Sequence, residues 1–288
     1  TYDCWSMSKI IPFLCRYGSE KVMKNLIAQV PLWKDWHSDK GGMRGRTAAE
    51  RFDQSYMLSN THAAAKYAHK NGEIYRYIRA KGTSIDRIYT QVLNCGLDEA
   101  GGMAYDLGNV TVTARLQEDL SFLIEVPGKD KPMKSLPKKG ADLDKYESAK
   151  QDLSELKKTV RETARNEKNN LFSLFLGGSA IDSQSWLHAY TTNPIMRHLA
   201  KRIVWSQLGQ TFIWTDDGAV GADGKPYELR RPEVKVAHPV EMDQAEINAW
   251  KEYISAHDIK QPFVQIWEIP HETKDIKPTR YEGYKVYW

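Results

Sequence analysis

Between positions 142 and 176 apolar residues return every three or four places: Leu143, Tyr146, Ala149, Leu153, Leu156, Val160, Ala164 and Leu171. That spacing is one face of an α-helix, and Gly177-Gly178 follows where a helix would stop. Unbroken, such a helix is on the order of 50 Å long at about 1.5 Å per residue. No single small core needs a helix of that length. The chain must therefore hang two units on it or pair it with another helix.

The rest of the sequence supplies candidates for both units. Residues 1–102 read as a helical, HEAT-like unit. Ile10, Ile11, Phe13 and Leu14 begin one amphipathic segment, and Val22, Leu26, Ile27 and Val30 continue at helical spacing up to Pro31. Residues 34–46, with Gly41, Gly42 and Gly45, read as a loop. An Ala-rich helix is expected over 47–70, stopped by Asn71-Gly72, and two short helices over 74–80 and 84–93, the second capped by Ser84. Period two then predicts a hairpin from 110–114 and 121–126 within a 103–140 unit of hairpin and connector. A second helix at 193–207 completes a 141–208 unit. A mixed αβ unit at 209–288 has strands expected at 211–214, 227–229, 234–237 and 263–269. Asp243 and Glu246 there predict a helix-opening capping box. The fold class expected is α+β.

Composition narrows the chemistry. Nine Trp and fifteen Tyr supply ample core material although only 41% of the 288 residues are hydrophobic. A net charge of +4 is mild, and acidic and basic residues interleave. Cys4, Cys15 and Cys95 form no CxxC pair, which fits a reducing, cytoplasmic setting. No apolar run reaches the roughly 18 residues of a membrane span. The chain opens on Thr rather than Met and reads as a piece of a longer protein.

Catalytic signatures are missing. Residues 41–46 lack P-loop spacing, no GxGxxG follows a strand, and Gly177-Gly178-Ser179 is not a nucleophile elbow. His62 and His69 share a helical face without an acidic third ligand, and HExxH is absent, so neither metal nor cofactor is expected. What remains is a polar set near the end: His238 as general base, with Gln261, Gln265 and Glu268 around a substrate. If these act together, they must converge in one cleft. A basic segment carries Lys129, Lys131, Lys134, Lys138 and Lys139, the residues a nucleic-acid reading would use.

Four short blocks then point to a family: Lys134–Lys138 (KSLPK), Asn193–Trp205 (NPIMRHLAKRIVW), Val236–Met242 (VAHPVEM) and Gln261–Glu268 (QPFVQIWE). In their order and spacing the chain resembles, over most of 60–288, the domain of unknown function in bacterial proteins labelled molybdate metabolism regulator. That domain often follows a WGR module. The resemblance implies a large multidomain protein with helical regions upstream and a domain that continues past Trp288. An Arg expected after the QPF segment is Trp267-Glu268 here, and no Trp-Gly-Arg occurs. The leading expectation is a non-catalytic interaction or regulatory module, its partner another protein or other domains of the same chain. Trp33, Trp36 and Trp288 are the candidate interface anchors. The alternatives are an enzyme with a polar cleft around His238 and a nucleic-acid-associated module.

Overall fold

The computed structural model describes residues 4–35, 45–82, 88–89 and 91–266. Trp36, Gly41, Gly42, Ser84, Glu268 and Trp288, and the expectations attached to them, lie outside these residues. The architecture is α+β: a layer of N-terminal helices, a three-stranded sheet, one long helix, and a five-stranded sheet with its own helices.

Helix α1 (Cys4–Tyr17) packs on α3 (Arg46–Ser55), and α2 (Glu20–Asp35) crosses both α3 and α4 (His62–Lys70). Helix α2 does not stop at Pro31 but runs on to Asp35. Its buried face of Met23, Leu26, Val30 and Trp33 continues past the proline, and that packing outweighs one lost backbone bond. Trp33 is only 7% exposed, so it is a core residue rather than an interface anchor.

The helix expected over 47–70 is broken in two. Ser59 and Thr61 bond each other through their hydroxyls at 2.9 Å, and Thr61 Oγ1 accepts from the Ala64 N–H at 3.3 Å, capping α4. Hydroxyls that capture backbone donors end one helix and start the next. Helix α5 (Ile74–Lys81) closes on Gly82 in the left-handed region.

The expected hairpin is present as β2 (Thr111–Leu116) and β3 (Phe122–Glu125), but β1 (Gly102–Asp106) joins it as an edge strand, in the order β1-β2-β3. Five residues opened by glycine gave no readable alternation. On the far edge, Met133 of the connector exchanges two backbone bonds with Ile124, so that side is covered.

Helix α6 (Leu143–Gly177) is unbroken over 35 residues, opened by Asp142 and closed by Gly178 at φ 59°. Next come β4 (Ala180–Asp182), α7 (Ser183–Leu187), a π-helical turn (His188–Thr192) and α8 (Pro194–Ala200). The helix expected to reach 207 ends at Ala200, because Val204–Gln207 is β5, paired with β6 (Gln210–Thr215). Strands β7 (Gly218–Val220) and β8 (Glu233–Val236) complete an antiparallel sheet ordered β4-β8-β5-β6-β7. The stretch 227–229 is irregular rather than a strand, as is 263–266. Helix α9 (Gln244–Ala256) starts on Asp243 as expected, but the box is not reciprocal. Glu246 bonds Thr211 of β6 instead of returning to the cap.

Three cores result. The largest joins Ile11, Phe52 and Tyr77 of the N-terminal helices to Leu171 of α6, Trp186 of α7 and Trp205 of β5. A second lies between the three-stranded sheet and the first two-thirds of α6, with Leu153, Leu156 and Val160 against Val112 and Ile124. A third packs the other face of the five-stranded sheet on α9, through Ile213 and Trp250.

Candidate functional site

An open groove of about 880 Å³ runs beside the first half of α6. Lys145, Ser148, Asp152, Glu155 and Thr159 line its helix side, separated by the three- and four-residue steps that put them on one stripe. Met103 to Asp106 of β1 line another wall, and Cys95 with His62 and Lys66 of α4 a third.

The β1 wall is the free edge of a sheet. Leu116 N–H donates to Gly101 O and Leu107 N–H to Val110 O, at 2.9 Å each, which sets the phase of the ladder. In an antiparallel pair the backbone groups alternate between facing the partner and facing away. Met103 and Tyr105 therefore bond towards β2, while Gly102, Ala104 and Asp106 turn their N–H and C=O outward. Gly102 is already closed: its N–H donates to Asp98 Oδ1 at 2.6 Å and its C=O accepts from Asp98 N at 3.0 Å. Ala104 and Asp106 have no such backbone partner among the described residues.

The charges of the groove are unevenly matched. Lys145 and Asp106 form an exposed pair at 2.6 Å. Asp152, Glu155 and Lys66 are exposed and form no ion pair among the described residues. Cys95 is the nucleophile in reach, but burial pushes its thiol up, against the smaller effects of the Thr163 hydroxyl and the Lys66 charge. Its sulfur bonds the Thr163 hydroxyl at 3.4 Å and no base among the described residues, and a thiol held protonated in that way is not an activated nucleophile.

A second polar constellation lies inside the molecule. Glu167 of α6 is 0% exposed and faces His69 of α4, 2% exposed, whose Nε2 donates to its carboxylate at 2.8 Å. The Tyr89 hydroxyl donates at 3.0 Å, Asn170 Nδ2 at 3.3 Å, and the Tyr190 hydroxyl makes a short bond to the same carboxylate. Tyr75 bonds the Tyr190 hydroxyl at 2.8 Å. Burial pushes Glu167 up, but the hydrogen bond and charge of His69, with the bonds from Tyr190 and Asn170, outweigh it and hold the group below the usual carboxylate range. Burial, then the Glu167 charge, pushes Tyr89 and Tyr190 well up, so both stay protonated donors. This is an ionised carboxylate saturated by donors. It has the composition of an acid–base site and the geometry of a structural clamp.

The residues singled out from sequence are placed apart. His238 Nδ1 accepts from Val240 N–H at 3.2 Å, and its ring stacks on Phe175 at 4.5 Å. It lines a separate cavity of about 250 Å³ with Thr211 and Glu246, whose lining includes neither Gln261 nor Gln265. Gln265 is 1% exposed, and its amide is spent on backbone: it accepts from Val204 N–H at 2.9 Å and donates to Val204 O and Ala237 O at 2.6 and 2.8 Å. Gln261 donates to Gln265 at 3.1 Å. The two glutamines are together and Gln265 bonds the backbone next to His238, at Ala237, but neither lines the cavity that His238 faces. Nor do the two α4 histidines share a site, since His69 is interior and His62 is exposed on the groove. Lys129, Lys131, Lys134, Lys138 and Lys139 are all exposed, Lys129 beside the Met133 sulfur and Lys138 over the Tyr146 ring.

Sequence reasoning missed Glu167, although a signal was present. Val160, Ala164, Glu167 and Leu171 occupy one helical face at steps of four, three and four. A carboxylate in the apolar stripe demands an interior partner. His69, Tyr89 and Tyr190 are too distant in sequence to be assigned as those partners.

The fold and the groove are those of an α+β domain, and no described helix is long and apolar enough to cross a bilayer. The chain belongs to the family described as Domain of unknown function (DUF4132), whose profile matches residues 130–286. The match takes in the connector, α6 and the five-stranded sheet. No curated protein and no solved structure is significantly similar to it.

Proposed function

We propose that the chain is a non-catalytic interaction module of a larger bacterial regulatory protein, and that the groove between β1 and α6 is its contact surface. The observation that carries this is the contrast between the two polar sites. The acid–histidine–tyrosine set able to do chemistry is sealed and saturated, whereas the open groove carries unmatched charges and, among the described residues, no hydrogen-bonded nucleophile–base pair. Unmatched charges beside apolar Leu156 and Met103 favour a protein partner, either a separate chain or another domain of the same one. The resemblance to molybdate metabolism regulators supports the regulatory part of the reading.

The test is site-specific photo-crosslinking in the full-length protein in a bacterial host, with the probe at Ser148 in the groove or at Lys158 elsewhere on α6. The expected result is one adduct from position 148 alone. Its partner, once purified, should bind wild type at least tenfold better than Glu155→Lys and should be indifferent to Lys158→Glu. Adducts equal at both positions, or binding untouched by Glu155→Lys, would overturn the reading.

A further inference from the structure

The groove's wall is a strand edge, and this specifies how a partner would sit. We infer that β1 accepts an extended, basic peptide as an added strand. The inference rests on the groove being the contact surface and adds the mode and the chemistry of the ligand.

Three observations converge. First, one edge of the three-stranded sheet is covered by the Ile124–Met133 backbone pair, while the other is open at Ala104 and Asp106. An unpaired edge is a template for a further strand unless it is blocked. Gly102, the next outward position, is closed by Asp98, so the window begins at Ala104 and the register is set. Second, there is room: the space along β1 is a groove of about 880 Å³ rather than packed protein. Third, the charge is directional. Side chains of an added strand alternate between the sheet's two faces. Those in phase with Met103 and Tyr105 lie towards α6, where Ala149 and Leu156 offer apolar contact and Asp152 and Glu155 offer unpaired carboxylates. Lys or Arg at every second position satisfies both, with the stem on the apolar surface and the head on the acid. Lys66 and His62 stand on the α4 side, so basic residues are favoured only on the face towards α6.

The probe is a fluorescein-labelled, end-blocked octapeptide of alternating Val and Lys, titrated with the full chain and followed by anisotropy. Two comparison peptides are used: Val alternating with Glu, and the Val/Lys peptide with every second amide N-methylated, so that the bonding edge is blocked. Saturable binding of the Val/Lys peptide is expected, at least tenfold weaker binding after N-methylation, and none for Val/Glu. Ala104→Pro removes the outward N–H at a position where an edge strand tolerates proline and should also cost at least tenfold. D152K/E155K should cost as much and flatten the salt dependence. Strand addition is overturned if the N-methylated peptide binds as well as its parent, or if folded Ala104→Pro binds as wild type does. Should Ala104→Pro not fold, the N-methylated peptide on wild type decides alone. Binding that needs Asp152 and Glu155 but not the amides leaves the groove standing as a contact surface and sinks only the added strand. Loss of the Ser148 adduct removes the groove itself.

Discussion

Glu167 gathers four side-chain donors on one buried carboxylate. An ionised carboxylate at 0% exposure is tolerated only because His69, Tyr89, Tyr190 and Asn170 all donate to it. Removing it strands those donors, so Glu167→Ala should destabilise the fold by about 3–5 kcal/mol in urea unfolding. Tyr190→Phe removes one donor and should cost about 1–2 kcal/mol. Because the folded structure holds Glu167 below its ordinary range, its contribution is full at neutral pH and is lost as pH falls below roughly 4. Glu167→Gln should therefore flatten the acid limb of stability against pH. His198 acts in a higher window. Burial, then Lys201 and Arg197, lowers it to about 4, and its Nδ1 is buried without a partner among the described residues. The unfolded chain takes up that proton below about 6.5, so stability falls between about pH 6.5 and 4. The increment is roughly 2 kcal/mol after allowing for partial exposure. In His198→Gln that slope should vanish while the loss near pH 4 and below persists. Thermal unfolding across pH 3.5–8 reads both.

At the scale of elements, amide side chains tie together segments that are far apart in sequence. Asn193 caps α8 by accepting from Ile195 and Met196 N–H, and its Nδ2 donates to Tyr89 O at 2.6 Å. Gln265 closes the end of β5 against β8 by bonding both Val204 and Ala237. Each is a junction rather than a reagent. Gln265→Ala leaves Val204 N–H and O and Ala237 O without these partners in a buried place, and should cost about 2–4 kcal/mol. In hydrogen exchange, Val204 should lose protection while β2 and β3 keep theirs. Normal stability of this variant would show that the glutamine is not structural. The long helix ends differently. Gly178 adopts φ 59° with open space around it, so Gly178→Ala meets backbone strain alone, about 1 kcal/mol.

The whole molecule turns on α6, whose two parts serve different cores. Its first two-thirds pack the three-stranded sheet, and its last turns join a core that runs from Ile11 in α1 to Phe212 in β6. The N-terminal helices and the five-stranded sheet thus lack separate interiors, although 98 residues lie between the end of α5 at Lys81 and the start of β4 at Ala180. Helices α3 to α5 and strands β5, β6 and β8 should open together, with the same exchange free energy and the same urea midpoint. The three-stranded sheet, whose core is its own, should open at or below that free energy. Exchange in which α3 to α5 open well before β5 would contradict the shared core.

The sequence by itself determined what depends on near neighbours: the α+β class, the full length of α6 from its stripe and its Gly-Gly stop, the β2–β3 hairpin, and the Asp243 start of α9. Local pattern suffices there because helical periodicity and capping are set within a few residues. It failed wherever a distant partner decided the outcome. Val204–Gln207 is a strand because β6 and β8 flank it, and Trp33 is buried because α2 outruns its proline. Gln265, read as a substrate contact, bonds Val204 from sixty-one residues away. The groove and the Glu167 cluster exist only in the assembled tertiary structure. A single carboxylate in an apolar stripe signals that donors are required, but which donors arrive depends on how α4, α5 and the π-helical turn pack around α6.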